Sequence, residues 1–326
     1  MHLALHVLRE TFYGVTSRIM ESKITGLIAA TFTPLTAEGL LDLKRIPSLV
    51  DHLVTSGVSG IYINGTTGEG MALSLEERCQ AAEAYVAAAR GRLKTVIQVG
   101  HECLPDAMAL ARHAEGLEVD AISATPPCYF KPPSIDHLMD YLEPLAAAAS
   151  SKPFYYYHIP VMTGVSFDPC ELMSEAVKRL PTMAGIKYSN PDLSVLLACL
   201  QFEDGGQDIL YGMDEALLGA VATGCRGAVG STYNFAAPVY LRMWEAFDRG
   251  DMDTARLWQG RSVQLVRALN GCGGRPGLKP MMALIGIDCG PHRLPQRDPM
   301  RGQMEELRQR LEALGFYQWI SGEACS

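Results

Sequence analysis

The chain has 326 residues, 48% hydrophobic and 20% charged, enough to bury the core of one large domain or of a barrel with an appendage. A net charge of -8 argues against the basic face of a nucleic-acid binder, and no apolar run reaches the ~18 residues of a membrane span. Nine scattered cysteines without a C-x-x-C pair indicate neither a disulfide framework nor a zinc ribbon, and suit reduced thiols in a cytosolic protein.

In chain order, residues 1–23 come first. His2, His6 and Arg9 break the apolar stretch too early for a secretory signal, so the segment reads as an N-terminal extension. Residues 26–33 form an apolar strand stopped by Pro34. Residues 43–56 are helical, with Ile46, Leu49, Val50 and Leu53 on one face. A second strand spans 60–64. Ser74 and Glu77 then make a capping box for an alanine-rich helix that ends near Ala89. Further strands are predicted at 95–99, 121–124, 153–157, 183–186, 209–211 and 227–229. Helical segments alternate with them at 105–115, 134–149, 168–179, 193–200 and 214–223, and 236–249 follows the last strand.

Eight strand–helix units in strict alternation imply a parallel sheet with helices outside, closed as a (β/α)8 TIM barrel. The rival is a doubly wound open sheet. Its dinucleotide-binding version is weakened because no G-x-G-x-x-G follows the first strand. Helical segments at 254–269, 278–287 and 300–314 read as a C-terminal helical appendage. The expected organisation is an extension over 1–23, a catalytic barrel over 24–250 and the appendage over 251–326.

In such a barrel, reactive groups gather at the C-terminal ends of the strands. After the second strand, Gly65-Thr66-Thr67-Gly68-Glu69-Gly70 offers backbone amides and two hydroxyls suited to a carboxylate. An ordinary glycine-rich turn fits that stretch equally well. After the fifth, Tyr155-Tyr156-Tyr157-His158-Ile159-Pro160 should send Tyr155 and Tyr157 to one side and Tyr156 to the other. A tyrosine at the mouth can relay a proton, although core packing is its commoner role. After the sixth, an apolar run ends in Lys187, with Ser189 two residues on. Partial desolvation would lower its pKa and free an amine that attacks ketones. On local pattern alone, a strand-end lysine directed at water is the simpler reading. After the seventh come Gly212, Asp214 and Glu215, suited either to sugar hydroxyls or to opening the next helix. Ser231 follows the eighth. The histidines show no H-x-H or H-E-x-x-H spacing, so no metal site is expected.

Gly65-Thr66-Thr67-Gly68-Glu69, Tyr157-x-Ile159-Pro160 and Gly185-Ile186-Lys187 occur in one order and spacing. In this the chain resembles the dihydrodipicolinate synthase / N-acetylneuraminate lyase family, over about residues 26–314. Residues 155–165 and 227–234 and Arg293-Leu294-Pro295 resemble its animal-type branch, which cleaves sialic acid.

The resemblance implies a cytoplasmic homotetramer with class I aldolase chemistry and no cofactor or metal. Lys187 would form the Schiff base and Tyr157 would relay the proton. Thr66 and Thr67 would hold the pyruvate carboxylate, and Ser189, Gly212, Asp214, Glu215 and Ser231 the hydroxylated tail. The expected reaction is reversible cleavage of N-acetylneuraminate to N-acetylmannosamine and pyruvate, with no nucleic-acid or membrane partner. A sibling pyruvate-dependent synthase usually has an arginine just after the Tyr-x-x-Pro motif, and Val161-Met162-Thr163-Gly164 has none. A silent binding barrel should have lost the lysine. The sequence departs from bacterial relatives at Cys128-Tyr129, where they place a tyrosine lent across a subunit interface, and at Ser189, where threonine is common.

Overall fold

The computed structural model describes residues 23–272 and 274–321; the predicted extension, Lys23 apart, lies outside them. Eight strands run β1 (Gly26–Ala30), β2 (Gly60–Ile63), β3 (Lys94–Gln98), β4 (Ala121–Ala124), β5 (Phe154–His158), β6 (Met183–Tyr188), β7 (Asp208–Tyr211) and β8 (Gly227–Gly230). They pair in sequence order, and β8 closes on β1. Every pairing is parallel, as crossover helices require.

Each strand is followed by a helix of the outer ring. These are α1 (Ile46–Thr55), α2 (Leu75–Ala89), α3 (Leu104–Glu115), α4 (Ile135–Ala147), α5 (Pro169–Arg179), α6 (Leu193–Gln201), α7 (Leu217–Ala222) and α8 (Tyr233–Asp248). The capping box opening α2 is present, with the Glu77 amide donating to Ser74 Oγ and the Ser74 amide to Glu77. Two of the boundaries that differ from expectation bear on the site. The predicted helix at 214 begins as a tight turn over Asp214–Ala216, because Asp214 turns inward instead of capping. β6 continues through Lys187 to Tyr188, so the lysine is held inside a strand and not on a loop.

Strand alternation divides the core in two. Ile28, Ala30, Tyr62, Val96, Ala121, Tyr155, Tyr157, Leu210 and Val229 fill the barrel interior. Leu27, Ala29, Ile61, Ile63, Ile122, Tyr156, Ile186 and Tyr211 pack outward under the helices. The tyrosines at 155 and 157 therefore point in and Tyr156 points out, on the opposite sides that period-2 geometry predicts.

Beyond the barrel lie α9 (Met252–Gly271), α10 (Leu278–Leu284), α11 (Arg301–Leu314) and α12 (Phe316–Ile320). Among the described residues no helix is long and apolar enough to cross a membrane. These helices are tied back to the loop after β2. Glu69 Oε1 accepts from Lys279 Nζ at 2.9 Å, and Oε2 from the Arg293 amide at 2.8 Å. Lys279 Nζ also donates to the Pro291 carbonyl at 2.7 Å. Both side chains of the ion pair are buried, 0% and 2% exposed. Arg293 forks onto Glu77 at 2.6 and 2.9 Å. Removing one member of a buried pair strands the other charge in a low dielectric. Lys279→Met is therefore expected to cost about 3–5 kcal/mol of unfolding free energy, measured by urea denaturation. A loss below about 1 kcal/mol would mean that the pair contributes little.

Candidate active site

In the barrel register Tyr157 lies beside Lys187, and Lys187 beside Leu210. Residues level on neighbouring strands point to the same side, so Tyr157 and Lys187 meet in the interior. Lys187 is 3% exposed. Its Nζ stands 3.7 Å from the ring centroid of Tyr62 and 3.9 Å from that of Tyr157. Burial lowers its pKa, while Tyr157 and Asp214 oppose the shift. Burial pushes the Tyr157 phenol up. The Lys187 charge, with hydrogen bonds from Thr66, Lys187 and Ser189, outweighs this and leaves the phenol below its ordinary value. The outcome is an amine with a raised fraction of free base, directly beside a proton donor and acceptor.

A cavity of about 270 Å³ opens above this pair. It is lined by Thr66 and Thr67 from the loop after β2, Ser189 after β6, Gly212, Asp214 and Glu215 after β7, and Ser231 after β8. All nine residues singled out in the sequence thus share one concavity at the C-terminal end of the barrel. Gly212 has a steric reason to lack a side chain, since a Cβ there would meet Ser189 Oγ at 2.0 Å.

Asp214 is buried. Its Oδ2 accepts from the Thr232 amide at 3.0 Å and from Thr232 Oγ1 at 2.6 Å, while Oδ1 has no partner. Burial raises its pKa, partly offset by Thr232. Its carboxyl is thus held beside the cavity by Thr232, with Oδ1 buried and unpartnered. It makes no helix cap, although it and Glu215 do stand in the first turn that leads into the next helix, as their position in the sequence had offered.

Some of the surroundings carry no local signal. The cavity roof comes from the C-terminal helices: Val266, Leu269 and Asn270 of α9, then Arg275 and Leu278. Tyr62, under the lysine, looks in sequence like one more apolar strand residue. Its place two positions before Asn64-Gly65 on an inward register is the clue that could have identified it. His158 points away from the cavity and stacks on Tyr188 at 5.5 Å, and burial pushes its pKa down to about 4. It is therefore a neutral packing residue at pH 7. Glu102 accepts from the Cys128 amide at 2.8 Å and the Tyr129 amide at 3.1 Å, leaving the Tyr129 ring 80% exposed. The aromatic group at this loop thus faces outward from the chain that carries it.

The profile of the dihydrodipicolinate synthetase family matches residues 23–314. An N-acetylneuraminate lyase of Xenopus tropicalis is 44% identical over 84% of this chain and 90% of its own. One from Gallus gallus is 40% identical over 92% of this chain and 98% of its own. Among solved structures, Proteus mirabilis N-acetylneuraminate lyase superposes with a TM-score of 0.88 at 40% identity, covering 90% of this chain and 100% of its own. The Aliivibrio salmonicida enzyme, titled a sialic acid aldolase, gives a TM-score of 0.88 at 40% identity, covering 90% of this chain and 98% of its own.

Proposed function

The chain belongs to the dihydrodipicolinate synthetase family, and on that premise we propose that it is an N-acetylneuraminate lyase, a class I aldolase. It cleaves N-acetylneuraminate reversibly to N-acetylmannosamine and pyruvate. The observation that carries the chemistry is the buried Lys187 amine facing Tyr157 on the floor of a hydroxyl-lined cavity.

The free amine of Lys187 attacks the C2 ketone of the open-chain sugar acid. Uptake of a proton from water and loss of the hydroxyl as water then give a protonated imine. The C3–C4 bond then breaks, its electrons flowing into the imine to give an enamine, while the C4 hydroxyl gives its proton to the Tyr157 phenolate, which the neighbouring cationic nitrogen favours, and becomes the aldehyde of N-acetylmannosamine. The enamine takes a proton at C3, and hydrolysis releases pyruvate and the amine. The imine is the electron sink, so the reaction needs no cofactor. Thr66 and Thr67 hold the carboxylate through hydroxyls and amides. Ser189, Gly212, Asp214, Glu215 and Ser231 receive the polyol. A cytoplasmic homotetramer completes this reading. The unbridged thiols of the described cysteines support the compartment. The exposed Tyr129 and Phe130 rings, edge to face at 4.9 Å, support the assembly.

The test is borohydride reduction with pyruvate present, followed by peptide mass mapping. A pyruvate-derived adduct on Lys187 is expected, together with direct cleavage of N-acetylneuraminate. Folded protein that binds pyruvate without forming an adduct would overturn the mechanism. Gly212→Ala offers a finer check. Its Cβ displaces Ser189 from Tyr157, and kcat is expected to fall about 10–100-fold. An unchanged kcat would mean that the Ser189 hydrogen bond to Tyr157 does not matter for turnover.

A further inference from the structure

Tyr62 is a fully buried phenol for which the cleavage chemistry has no use. Its hydroxyl points away from the lysine and donates to Ser123 Oγ on β4 at 3.0 Å. The ring is thereby anchored across the barrel interior. The chain makes room for it, since a Cβ on Gly65 would lie 2.7 Å from a ring carbon. The glycine opening the carboxylate loop is therefore also required by this ring. Tyr62 meets Tyr157 edge to face, with centroids 5.7 Å apart at 76°. Lys187 Nζ sits over both rings, closer to Tyr62, at 3.7 Å against 3.9 Å.

An aromatic face carries negative charge density and attracts a cation, most strongly where water is excluded. In the Schiff-base reaction the lysine nitrogen is cationic twice, as the resting ammonium and as the protonated imine. The rest of its polar surroundings differ in kind. Tyr157 exchanges protons during turnover, while Asp214 and Glu215 face the cavity where substrate enters. Tyr62 is the neighbour whose interaction with the nitrogen stays constant throughout. Its other charged neighbour, Arg78, is held to the Gly100 and Gln98 carbonyls at 3.0 and 2.7 Å.

We infer that Tyr62 is a positioning residue for this reaction: its ring face holds the cationic forms of the Lys187 nitrogen, ammonium and imine, in place opposite Tyr157. The inference rests on the Schiff-base reading. It makes the Tyr62 ring, and not its hydroxyl, the working part.

The experiment compares wild type, Tyr62→Phe and Tyr62→Leu by the rate of borohydride trapping with pyruvate across pH, with thermal melts to establish folding. Trapping of the wild type at Lys187 tests the Schiff-base reading, and only then do the variants bear on Tyr62. Tyr62→Leu is expected to trap about 5- to 30-fold more slowly. The ring favours the ammonium, so without it burial is opposed by Tyr157 and Asp214 alone and the amine frees at lower pH. The acid limb of the profile should move down by about half to one pH unit. Tyr62→Phe keeps the ring and is expected to restore the wild-type limb and most of the rate. An upward-moving limb in Tyr62→Leu would mean that the ring acts only by excluding water. A wild-type profile in folded Tyr62→Leu, or a Leu-like profile in Tyr62→Phe, would equally overturn the inference.

Discussion

Lys187→Ala is expected to lose turnover of N-acetylneuraminate by about 10⁴–10⁶-fold, the scale of removing a covalent nucleophile. The reason lies in the cavity. Of its lining residues only Lys187 carries an amine, and no other side chain there can form an imine with a ketone. The protein should still fold. Lys187 is desolvated, and shortening it removes a buried cationic group while leaving the Tyr62–Ser123 contact intact. Borohydride with pyruvate should leave no adduct on this variant. Turnover within about tenfold of wild type would remove the Schiff base from the mechanism.

Tyr157→Phe should lower kcat by about 10²–10⁴-fold, the usual range for a lost acid–base group. The substitution keeps the ring beside Lys187, so the amine retains most of its packing. It removes the hydroxyl to which Thr66, Lys187 and Ser189 all bond. The two halves of the reaction should respond differently. Cleavage needs a base at the C4 hydroxyl, whereas pyruvate has no such hydroxyl. Pyruvate trapping is therefore expected to fall less than cleavage. Equal losses in both would assign Tyr157 to imine formation, and a wild-type kcat would assign the proton transfer to another group.

Much of this molecule is written in local pattern. Alternating apolar strands and helical segments specify the barrel, since each element displays its own period and the crossovers have one favoured hand. Positions at strand ends are likewise legible. Lys187, Tyr157, the two threonines, Ser189, Gly212, Asp214, Glu215 and Ser231 could be named because a parallel barrel gathers such ends on one face. That Tyr155 and Tyr157 share a side opposite Tyr156 follows from period 2 alone, whereas which side is the interior does not. The environment of those side chains did not follow. Whether Lys187 met water or aromatic rings depended on β2 and β5 converging on it, and nothing in residues 183–188 records that. The roof from α9 and the Glu69–Lys279 pair, 210 residues apart, arise from docking the C-terminal helices over the barrel mouth. Those helices show only their own amphipathic period, which says that they pack but not against what. The sequence by itself determined which residues reach the mouth of the barrel. Only the tertiary structure decided which of them are desolvated, and desolvation turns an ordinary lysine into a nucleophile.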